Sequence, residues 1–249
     1  MSVSVSLSGQ YQTAVDADID GEIFTSSNFG ASWASANIVA SYWTSVSMSS
    51  SGQYQTATVI YGPIYMSPDF GASWNPASAP AASWYSVSVS SSGQYQSAVV
   101  NGGQIFISSS FGSTWTAITD TPSALWSSIS VSSDGQYQTA VAYRELIYLS
   151  SNFGIKWAAA ISPVADWGSV SVSATGQYQT AVIDMGSVYV SLNFGRSWAV
   201  TTSLPVSSWM SVSMSSSGQY QTVVAFDGLV FTSTVFGVTT AGMLIFFLL

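Results

Sequence analysis

The chain of 249 residues contains no cysteine and no histidine, and it has only three cationic residues, Arg144, Lys156 and Arg196. Without cysteine there is no disulfide and no thiolate nucleophile, and without histidine there is no imidazole general base and no zinc site of the Cys/His kind. The net charge is -8. Because binding to phosphates rests on several Lys or Arg contacts, nucleic acid is excluded as a partner.

Charged residues of both signs are scarce, at 6% of the sequence against about 25% in an average soluble domain. Hydrophobic residues make up 47% and aromatic residues 14%, which is unlike a disordered chain and predicts a folded core. The start of the chain lacks the features of a signal peptide, and the apolar tail at residues 242–249 is shorter than the roughly 20 residues of a transmembrane helix. The sequence therefore predicts neither a signal peptide nor a transmembrane segment.

One tetrapeptide, Gly-Gln-Tyr-Gln, recurs through the whole chain. Its successive copies are 43, 41, 42, 41 and 42 residues apart, and a Phe-Gly pair follows each copy with the same period. Six repeats account for the entire sequence, which predicts a single domain over residues 1–249. The tetrapeptide begins at Gly9, Gly52, Gly93, Gly135, Gly176 and Gly218, and the repeats extend approximately over residues 1–42, 43–83, 84–125, 126–166, 167–208 and 209–249.

Each repeat has the period-two pattern of short β-strands. In the second repeat, residues 43–49 alternate apolar and small polar side chains before a turn at Gly52, and residues 54–60 are rich in β-formers. Residues 64–67 precede another turn and a short strand about Trp74. Four antiparallel strands, A to D, in about 40 residues are typical of a β-propeller blade. We expect an all-β, six-bladed β-propeller; the main alternative is a β-solenoid, whose repeats are usually shorter and whose strands are parallel.

The turn between strands C and D of the second repeat reads Ser-Pro-Asp-Phe-Gly-Ala-Ser-Trp, from Ser67 to Trp74. It resembles the Asp-box, or bacterial neuraminidase repeat, of sialidase-like β-propellers. Four other copies are good, with Asn28, Ser110, Asn152 and Asn193 at the position of Asp69, whereas the sixth copy has Val235 there and lacks the Trp. The array is also similar to uncharacterised Gly-Gln-Tyr-Gln repeat proteins of large DNA viruses and marine microbes.

The resemblance to the Asp-box implies a structural role for this turn. The polar side chain caps the backbone, the glycine adopts a positive φ, and the Trp packs between blades. The resemblance does not extend to sialidase activity, because the sialidase site needs three arginines for the substrate carboxylate and this chain has two. The similarity to viral and microbial repeat proteins suggests a virion or an extracellular surface as the setting.

Most carboxylates belong to one end of the predicted repeats. In a propeller, the A–B and C–D turns lie on one face and the B–C and D–A loops lie on the other. Nine of the 11 carboxylates fall on the second face, which predicts an acidic, variable surface suited to binding. The alternative is that these groups serve only solubility. The candidate ligand-binding residues are Asp120, Glu145, Asp166, Asp184 and Asp227.

One B–C loop has the start of a calcium-binding sequence. Asp16, Asp18, Asp20 and Gly21 match positions 1, 3, 5 and 6 of a calcium loop, and Glu22 is a further candidate ligand. The loop also resembles the calcium hairpins of integrin-type propellers, although Phe24 stands where those hairpins have their last Asp. The candidate cofactor is therefore either none or a weakly bound calcium ion, and a solvated hairpin tip is the alternative.

The repeated Gln-Tyr-Gln can be interpreted in two ways. Six identical copies could present a ring of sugar-binding amides and aromatic rings, or each copy could make the same packing contacts with its neighbouring repeat. We favour packing, because buried polar groups are usually paired. The apolar tail predicts either burial at the closure of the propeller or an oligomer formed by docking on another subunit.

Taken together, these features predict a structural or adhesive β-propeller without catalytic activity. We expect it in a virion or on a cell surface, where it mediates assembly with other protein subunits or attachment. The alternative function is a glycan-binding, lectin-like propeller, assisted by calcium. A glycoside hydrolase needs two suitably spaced carboxylates, and no motif in the sequence supports such a pair.

Overall fold

The computed structural model of the protein describes residues 2–36, 38–39, 41–235 and 245–248, and these contain strands and turns but no helix. The chain divides into two compact units, Met1–Leu125 and Trp126–Leu249, which we call unit 1 and unit 2. The boundary between them coincides with the boundary predicted between the third and fourth repeats.

Unit 1 contains the strands of the first three repeats, and each strand pairs antiparallel with the next within its repeat. In the second repeat, for example, Val46 is opposite Ala57 and Ala57 is opposite Tyr65. The strands are β1 (Ser2–Val5), β2 (Gln12–Val15), β3 (Ile23–Ser26), β4 (Ala34–Ser35), β5 (Trp43–Met48), β6 (Gln55–Val59), β7 (Ile64–Ser67), β8 (Asn75–Pro76), β9 (Trp84–Val89), β10 (Gln96–Gly103), β11 (Ile105–Ser108) and β12 (Thr116–Ala117).

Unit 2 has the same order of strands. Its first strand, β13 (Ala124–Val131), begins two residues before the unit boundary. The others are β14 (Gln138–Ala142), β15 (Tyr148–Ser150), β16 (Ala158–Ala159), β17 (Trp167–Val172), β18 (Gln179–Ile183), β19 (Val188–Ser191), β20 (Ala199–Val200), β21 (Trp209–Met214), β22 (Gln221–Ala225), β23 (Val230–Val235) and β24 (Ile245–Leu248).

The prediction of six separate blades is wrong. Four blades stand as separate four-stranded sheets, and the other eight strands form one continuous sheet in which β10 pairs with β13. The connection arises because β10 runs on through the Gly102-Gly103 turn, so that Asn101 and Gly103 pair with Leu125 and Ala124. In other repeats the same contact is a single bridge, such as that between Gly62 and Ala82.

The core lies between consecutive repeats and follows from the alternation in strands A and B. Strand B of the second repeat, β6, is buried along its whole length, because small residues such as Ala57 let a neighbouring sheet approach both faces. The Trp that opens strand A is fully buried in the same layer: Trp43 packs with Val15 and Ile23 of the preceding repeat in unit 1. In unit 2, Trp167 packs in the same way with Val141 and Ile147.

The apolar tail belongs partly to the last sheet. Ile245–Leu248 forms β24, which pairs antiparallel with β23 as the outer strand of that sheet. Met243, Leu244 and Leu249 lie outside the described residues, as does the end of the sixth box, residues 236–240. The predicted oligomer through the tail, and burial of the tail at a closure, stay predictions.

Candidate functional site

In each of the first five repeats the A–B and C–D turns meet at one end of the sheet, which we call the turn end. In the second repeat the Phe70 N–H donates to the carbonyl of Gln53, which joins the two turns. The polar side chains of this box cap its backbone: the Gly71 N–H donates to Ser67 Oγ at 2.9 Å, and the Ser73 N–H donates to Asp69 Oδ1 at 2.9 Å. Asn28 accepts the equivalent bond from Ser32 at 3.0 Å, so the amide replaces the carboxylate as a cap.

One property of the box was missed from the sequence. In the five boxes that the structure describes completely, the Phe before the glycine also has a positive φ, between 56° and 64°, so two consecutive residues are left-handed. This conformation costs a non-glycine residue about 1–2 kcal/mol. It is offset by packing, since Phe70 stacks on Tyr11 of the preceding repeat with ring centroids 4.5 Å apart.

The second Gln of the Gly-Gln-Tyr-Gln motif is buried in every copy after the first, and it accepts a hydrogen bond from the preceding repeat at Gln55, Gln96, Gln179 and Gln221. Gln55 donates from Nε2 to the Gly52 carbonyl at 2.9 Å and accepts at Oε1 from the Thr13 hydroxyl at 2.6 Å. In unit 2, Gln179 makes the same pair of bonds with Gly176 and Thr139. These contacts support the packing interpretation of the repeated motif for this Gln.

The B–C and D–A connections meet at the opposite end, which we call the loop end. In unit 1 the Ala82 N–H donates to the Gly62 carbonyl at 3.1 Å. The buried Trp that opens strand A also reaches this end: the Trp43 indole N–H donates to the carbonyl of Gly21, in the B–C loop of the preceding repeat, at 3.0 Å. In unit 2, Trp167 and Trp209 donate in the same way to the carbonyls of Glu145 and Gly186.

In unit 2, backbone hydrogen bonds join the connections of consecutive repeats in one series. Ala165 donates to the carbonyl of Glu145, and Asp184 donates to the carbonyl of Asp166 at 2.9 Å. Gly186 and Ser207 exchange two bonds, and the Phe226 N–H donates to the Ser208 carbonyl at 2.8 Å. We call the side chains carried by this series the loop surface: Arg144, Glu145, Val164, Asp166, Asp184, Met185, Val206, Phe226 and Asp227.

The loop surface combines carboxylates with exposed apolar side chains. Met185 and Phe226 are 75% and 78% exposed, and Val164 and Val206 are similarly open. Met185 has a φ of 51° and Arg144 has a φ of 57°, so both residues adopt the left-handed conformation within their turns. Four carboxylates and one cation give this surface a negative charge.

Two contacts set the electrostatics at one edge of the loop surface. Arg144 Nε lies 4.0 Å from Asp166 Oδ1, and because both side chains are largely exposed this ion pair adds little stability. The Tyr148 hydroxyl donates to Glu145 Oε2 at 3.4 Å. Burial raises the pKa of Tyr148 above its ordinary value, and the Glu145 carboxylate raises that pKa further. Tyr148 therefore stays a hydrogen-bond donor at physiological pH.

Four of the five carboxylates predicted as ligand-binding residues lie on this surface: Glu145, Asp166, Asp184 and Asp227. The fifth, Asp120, belongs to unit 1, where it is exposed after β12. The apolar members, above all Met185 and Phe226, were missed. The sequence does indicate these two residues, because they are large apolar residues in B–C turns, where small polar residues or glycine are usual.

The predicted calcium loop is a tight hairpin. The Asp16 N–H donates to the Glu22 carbonyl at 3.1 Å, and the Gly21 N–H donates to the Asp18 carbonyl at 3.0 Å. Asp18 and Asp20 are exposed at its tip. Within the described part of the chain, no group of three or more acidic side chains is arranged to hold a metal ion. The calcium hypothesis stays a prediction.

Unit 1 also has a cavity of about 290 Å³ at the turn end, between the first and second boxes. Trp33, which is exposed, and Phe70 contribute aromatic surface to its wall. Asp69 and the hydroxyls of Ser27 and Ser32 contribute polar groups. An aromatic face beside several hydroxyls and a carboxylate is a suitable environment for a sugar ring.

Comparison with known proteins identifies the fold. No family model and no curated protein matches the sequence. Among solved structures, YCF48 bound to D1 peptide has a TM-score of 0.72 at 13% identity over 99% of this chain and 81% of its own. The GH74 enzyme of Niastella koreensis has a TM-score of 0.77 at 13% identity, over 98% of this chain and 46% of its own. The Cps50 (Swd1) β-propeller domain of Myceliophteria thermophila has a TM-score of 0.71 at 12% identity, over 99% of this chain and 85% of its own.

These neighbours are β-propellers, and the likeness shows that the protein has the β-propeller fold. The chain spans less than half of the length of the GH74 enzyme. Among the residues that the structure describes, no helix has the length and apolar character needed to cross a membrane.

Proposed function

We propose that the protein is a non-catalytic, adhesive or structural β-propeller that binds another protein through the loop surface. The observation that carries this proposal is the series of backbone bonds from Glu145 to Phe226, which holds carboxylates and exposed apolar side chains in one row. Patches of exposed apolar residues with a polar rim are typical of protein interaction sites. A virion or cell surface is the proposed setting, as expected from the resemblance of the repeats.

The charges and apolar side chains of the loop surface indicate which kind of protein segment it would bind. Asp184 is adjacent to Met185, and Phe226 to Asp227, so each large apolar side chain has a carboxylate next to it. A complementary segment would carry Lys or Arg beside apolar side chains, because opposite charges steer association and apolar contacts supply most of the affinity. We therefore propose a basic, apolar protein segment as the partner.

Two observations support a binding role. YCF48, a structural neighbour, was solved bound to a peptide. The sequence has neither histidine nor cysteine, so the commonest general base and the strongest side-chain nucleophile are missing.

The test is fluorescence anisotropy with two synthetic peptides, one of alternating Lys and Leu and one with Glu in place of Lys. We expect the Lys peptide to bind more tightly, with an affinity that falls as salt is added. Replacing both Met185→Ser and Phe226→Ser should weaken binding about tenfold or more.

The matched control is Ile155→Ser, an exposed apolar residue in the fourth box, outside the loop surface. It should leave the affinity for the Lys peptide unchanged. Equal binding of the two peptides, or wild-type affinity in the double variant, would overturn the proposal.

Glycan binding is a second candidate, favoured by the cavity between the first and second boxes. Trp33 offers a ring for stacking, and Asp69 and Ser32 offer hydrogen bonds to sugar hydroxyls. A glycan array with and without chelator tests this candidate. Binding that Trp33→Ala abolishes would establish the cavity as a sugar site, and loss on chelation would point to the calcium loop; an array without binding would reject the glycan function.

A further inference from the structure

The loop end of unit 1 has its own series of backbone hydrogen bonds. The Ser41 N–H donates to the Gly21 carbonyl at 3.0 Å, and the Ile60 N–H donates to the Tyr42 carbonyl at 3.0 Å. The first bond fixes the acidic hairpin of the first repeat beside the residues that precede strand β5. The second bond fixes those residues beside the B–C turn of the second repeat. Three connections of unit 1 therefore meet at one surface.

Two tyrosines are exposed on this surface. Tyr61, which follows Ile60 in the B–C turn of the second repeat, is 80% exposed, and Tyr42 is 45% exposed. The carboxylates of Asp20 and Glu22 flank the glycine whose carbonyl accepts from Ser41. We call Asp20, Glu22, Tyr42 and Tyr61 the tyrosine surface. It combines flat aromatic rings with negative charge.

Tyr61 is held in a conformation that glycine adopts more easily. Its φ is 59°, whereas the residue at the same position of the third repeat, nine residues after the glycine of the tetrapeptide, is Gly102 with a φ of 77°. The left-handed conformation costs a tyrosine free energy. A ring that is mostly exposed returns little of this cost, because apolar contacts stabilise in proportion to the area removed from water. Stability therefore does not explain the tyrosine, and strain of this kind is typical of functional residues.

The same turn lacks the indole hydrogen bond that holds the hairpin of the first repeat. The Trp43 indole donates to Gly21, and the equivalent acceptor for Trp84, 22 residues earlier in the chain, is the carbonyl of Gly62, next to Tyr61. The Trp84 indole N–H is fully buried and has no hydrogen-bond partner among the described residues. A buried N–H without a partner lowers stability. This turn thus combines two unfavourable features.

The charge of unit 1 indicates the sign of the ligand. The sequence of this unit has six Asp and Glu residues and no Lys or Arg. Four of the six carboxylates belong to the hairpin that adjoins the tyrosine surface, at Asp16, Asp18, Asp20 and Glu22. No cationic side chain of the unit neutralises them. Because complementary charges steer association and suppress wrong partners, the surface favours a cationic ligand.

We propose that the tyrosine surface is a second binding site of the protein, which takes arginine side chains of a partner protein. The planar guanidinium group stacks on the exposed face of a tyrosine ring, and its N–H groups donate to carboxylates in pairs. Lysine fits less well, because its ammonium group is compact, strongly hydrated and not planar. The site belongs to unit 1, so it does not rest on the function proposed for the loop surface of unit 2.

The test measures binding of labelled peptides to the full chain by fluorescence anisotropy, in buffer with a chelator so that no metal ion occupies the hairpin. One peptide alternates Arg and Gly, a second has Lys in place of Arg, and a third has Glu. The Arg peptide should bind about fivefold or more tightly than the Lys peptide, and the Glu peptide should not bind. None of the peptides has an apolar side chain for the loop surface.

Substitution of Tyr61 separates binding from stability. Tyr61→Gly should weaken the Arg peptide about fivefold or more, because the stacking face is lost. Its melting temperature should equal or exceed that of the wild type, because glycine adopts the left-handed conformation without strain. Tyr61→Phe keeps the ring and should keep most of the affinity. Tyr220→Ala removes an exposed tyrosine of unit 2 and should leave the affinity unchanged.

Three results would overturn the proposal. Equal affinity of the wild type for the Arg and Lys peptides, or no binding of either, would show that the surface does not recognise the guanidinium group. Unchanged binding of the Arg peptide to Tyr61→Gly would place the contact elsewhere, for example on the loop surface. A melting temperature of Tyr61→Gly below that of the wild type would show that Tyr61 has a structural role instead.

Discussion

The turn end and the loop end of the repeats use hydrogen bonds in opposite ways. At the turn end, side chains such as Ser67, Asp69 and Gln55 satisfy the backbone and link one repeat to the next. At the loop end, backbone groups pair mainly with one another, as Gly186 does with Ser207, and most side chains are left to solvent. The turn end therefore restricts its residue types strongly, whereas the loop end can vary and acquire a binding surface.

The largest loss of stability should come from substituting a buried Gln at the turn end. Gln55→Ala removes the bonds to the Gly52 carbonyl and the Thr13 hydroxyl, and both groups would stay buried without a partner. We expect a loss of about 3 kcal/mol in the free energy of unfolding. Urea denaturation monitored by tryptophan fluorescence measures it.

The control is Gln53→Ala in the same tetrapeptide. The Gln53 side chain is only partly buried, and the carbonyl that it contributes to the Phe70 N–H is unaffected by the substitution. The change should be within about 0.5 kcal/mol. Equal losses for the two variants would show that the buried Gln has no special role.

Substitution of Gly21, at the loop end, should cause a smaller loss of stability. An added Cβ would lie 2.2 Å from the Asp16 carbonyl oxygen, so Gly21→Ala forces the backbone of the hairpin to move. We expect a loss of about 1–3 kcal/mol, visible as a lower melting temperature. This result would show that the variable loop end also contains one rigid position.

Gly102→Ala is the matched change in the loop of the third repeat. Gly102 has a φ of 77°, but no heavy atom lies within 4 Å of its added Cβ, so only the backbone conformation costs free energy, by about 1 kcal/mol. If Gly21→Ala cost no more stability than Gly102→Ala, the backbone of the hairpin would adjust to the added Cβ. The loop end would then tolerate substitution even at this position, unlike the turn end.

The smallest change in stability should come from the carboxylate of Asp69, in the second box. Burial alone would raise the pKa of Asp69, but hydrogen bonds from Ser73 and Ser67 outweigh burial and hold that pKa below its ordinary value. The charged form thus stabilises the folded protein at neutral pH, and this contribution is lost as pH falls through the lowered pKa.

Asp69→Asn removes this titration while keeping an acceptor for the turn, as Asn28 does in the first box. The melting temperature should therefore fall less between neutral pH and about pH 3 in the variant than in the wild type. An identical fall in both proteins would show that the carboxylate charge contributes nothing to the box.

Much of the fold could be predicted from the sequence because the same residues recur with one period. The alternation at residues 43–49 and the Ser-Gly turns lead directly to strands β5 and β6, and the box pattern leads to its capping bonds. The joined sheet could not be predicted. It depends on whether β10 continues through Gly102 to pair with Leu125, and this register is decided by tertiary contacts.

The candidate site was predicted in part. The acidic residues at the loop end are visible in the sequence, but the bonds that connect Glu145, Asp184 and Phe226 involve backbone atoms, whose pairing is independent of side-chain type.

The indole hydrogen bonds of the strand A tryptophans determine when the bonded loops become ordered during synthesis. The carbonyl of Gly21 is bonded by Trp43, and that of Glu145 by Trp167, so each of these loops is completed by a residue about twenty positions later in the chain. Translation delivers the loop first and its indole seconds afterwards. Binding competence at these loops should therefore follow their own synthesis by the time needed to add about half a repeat.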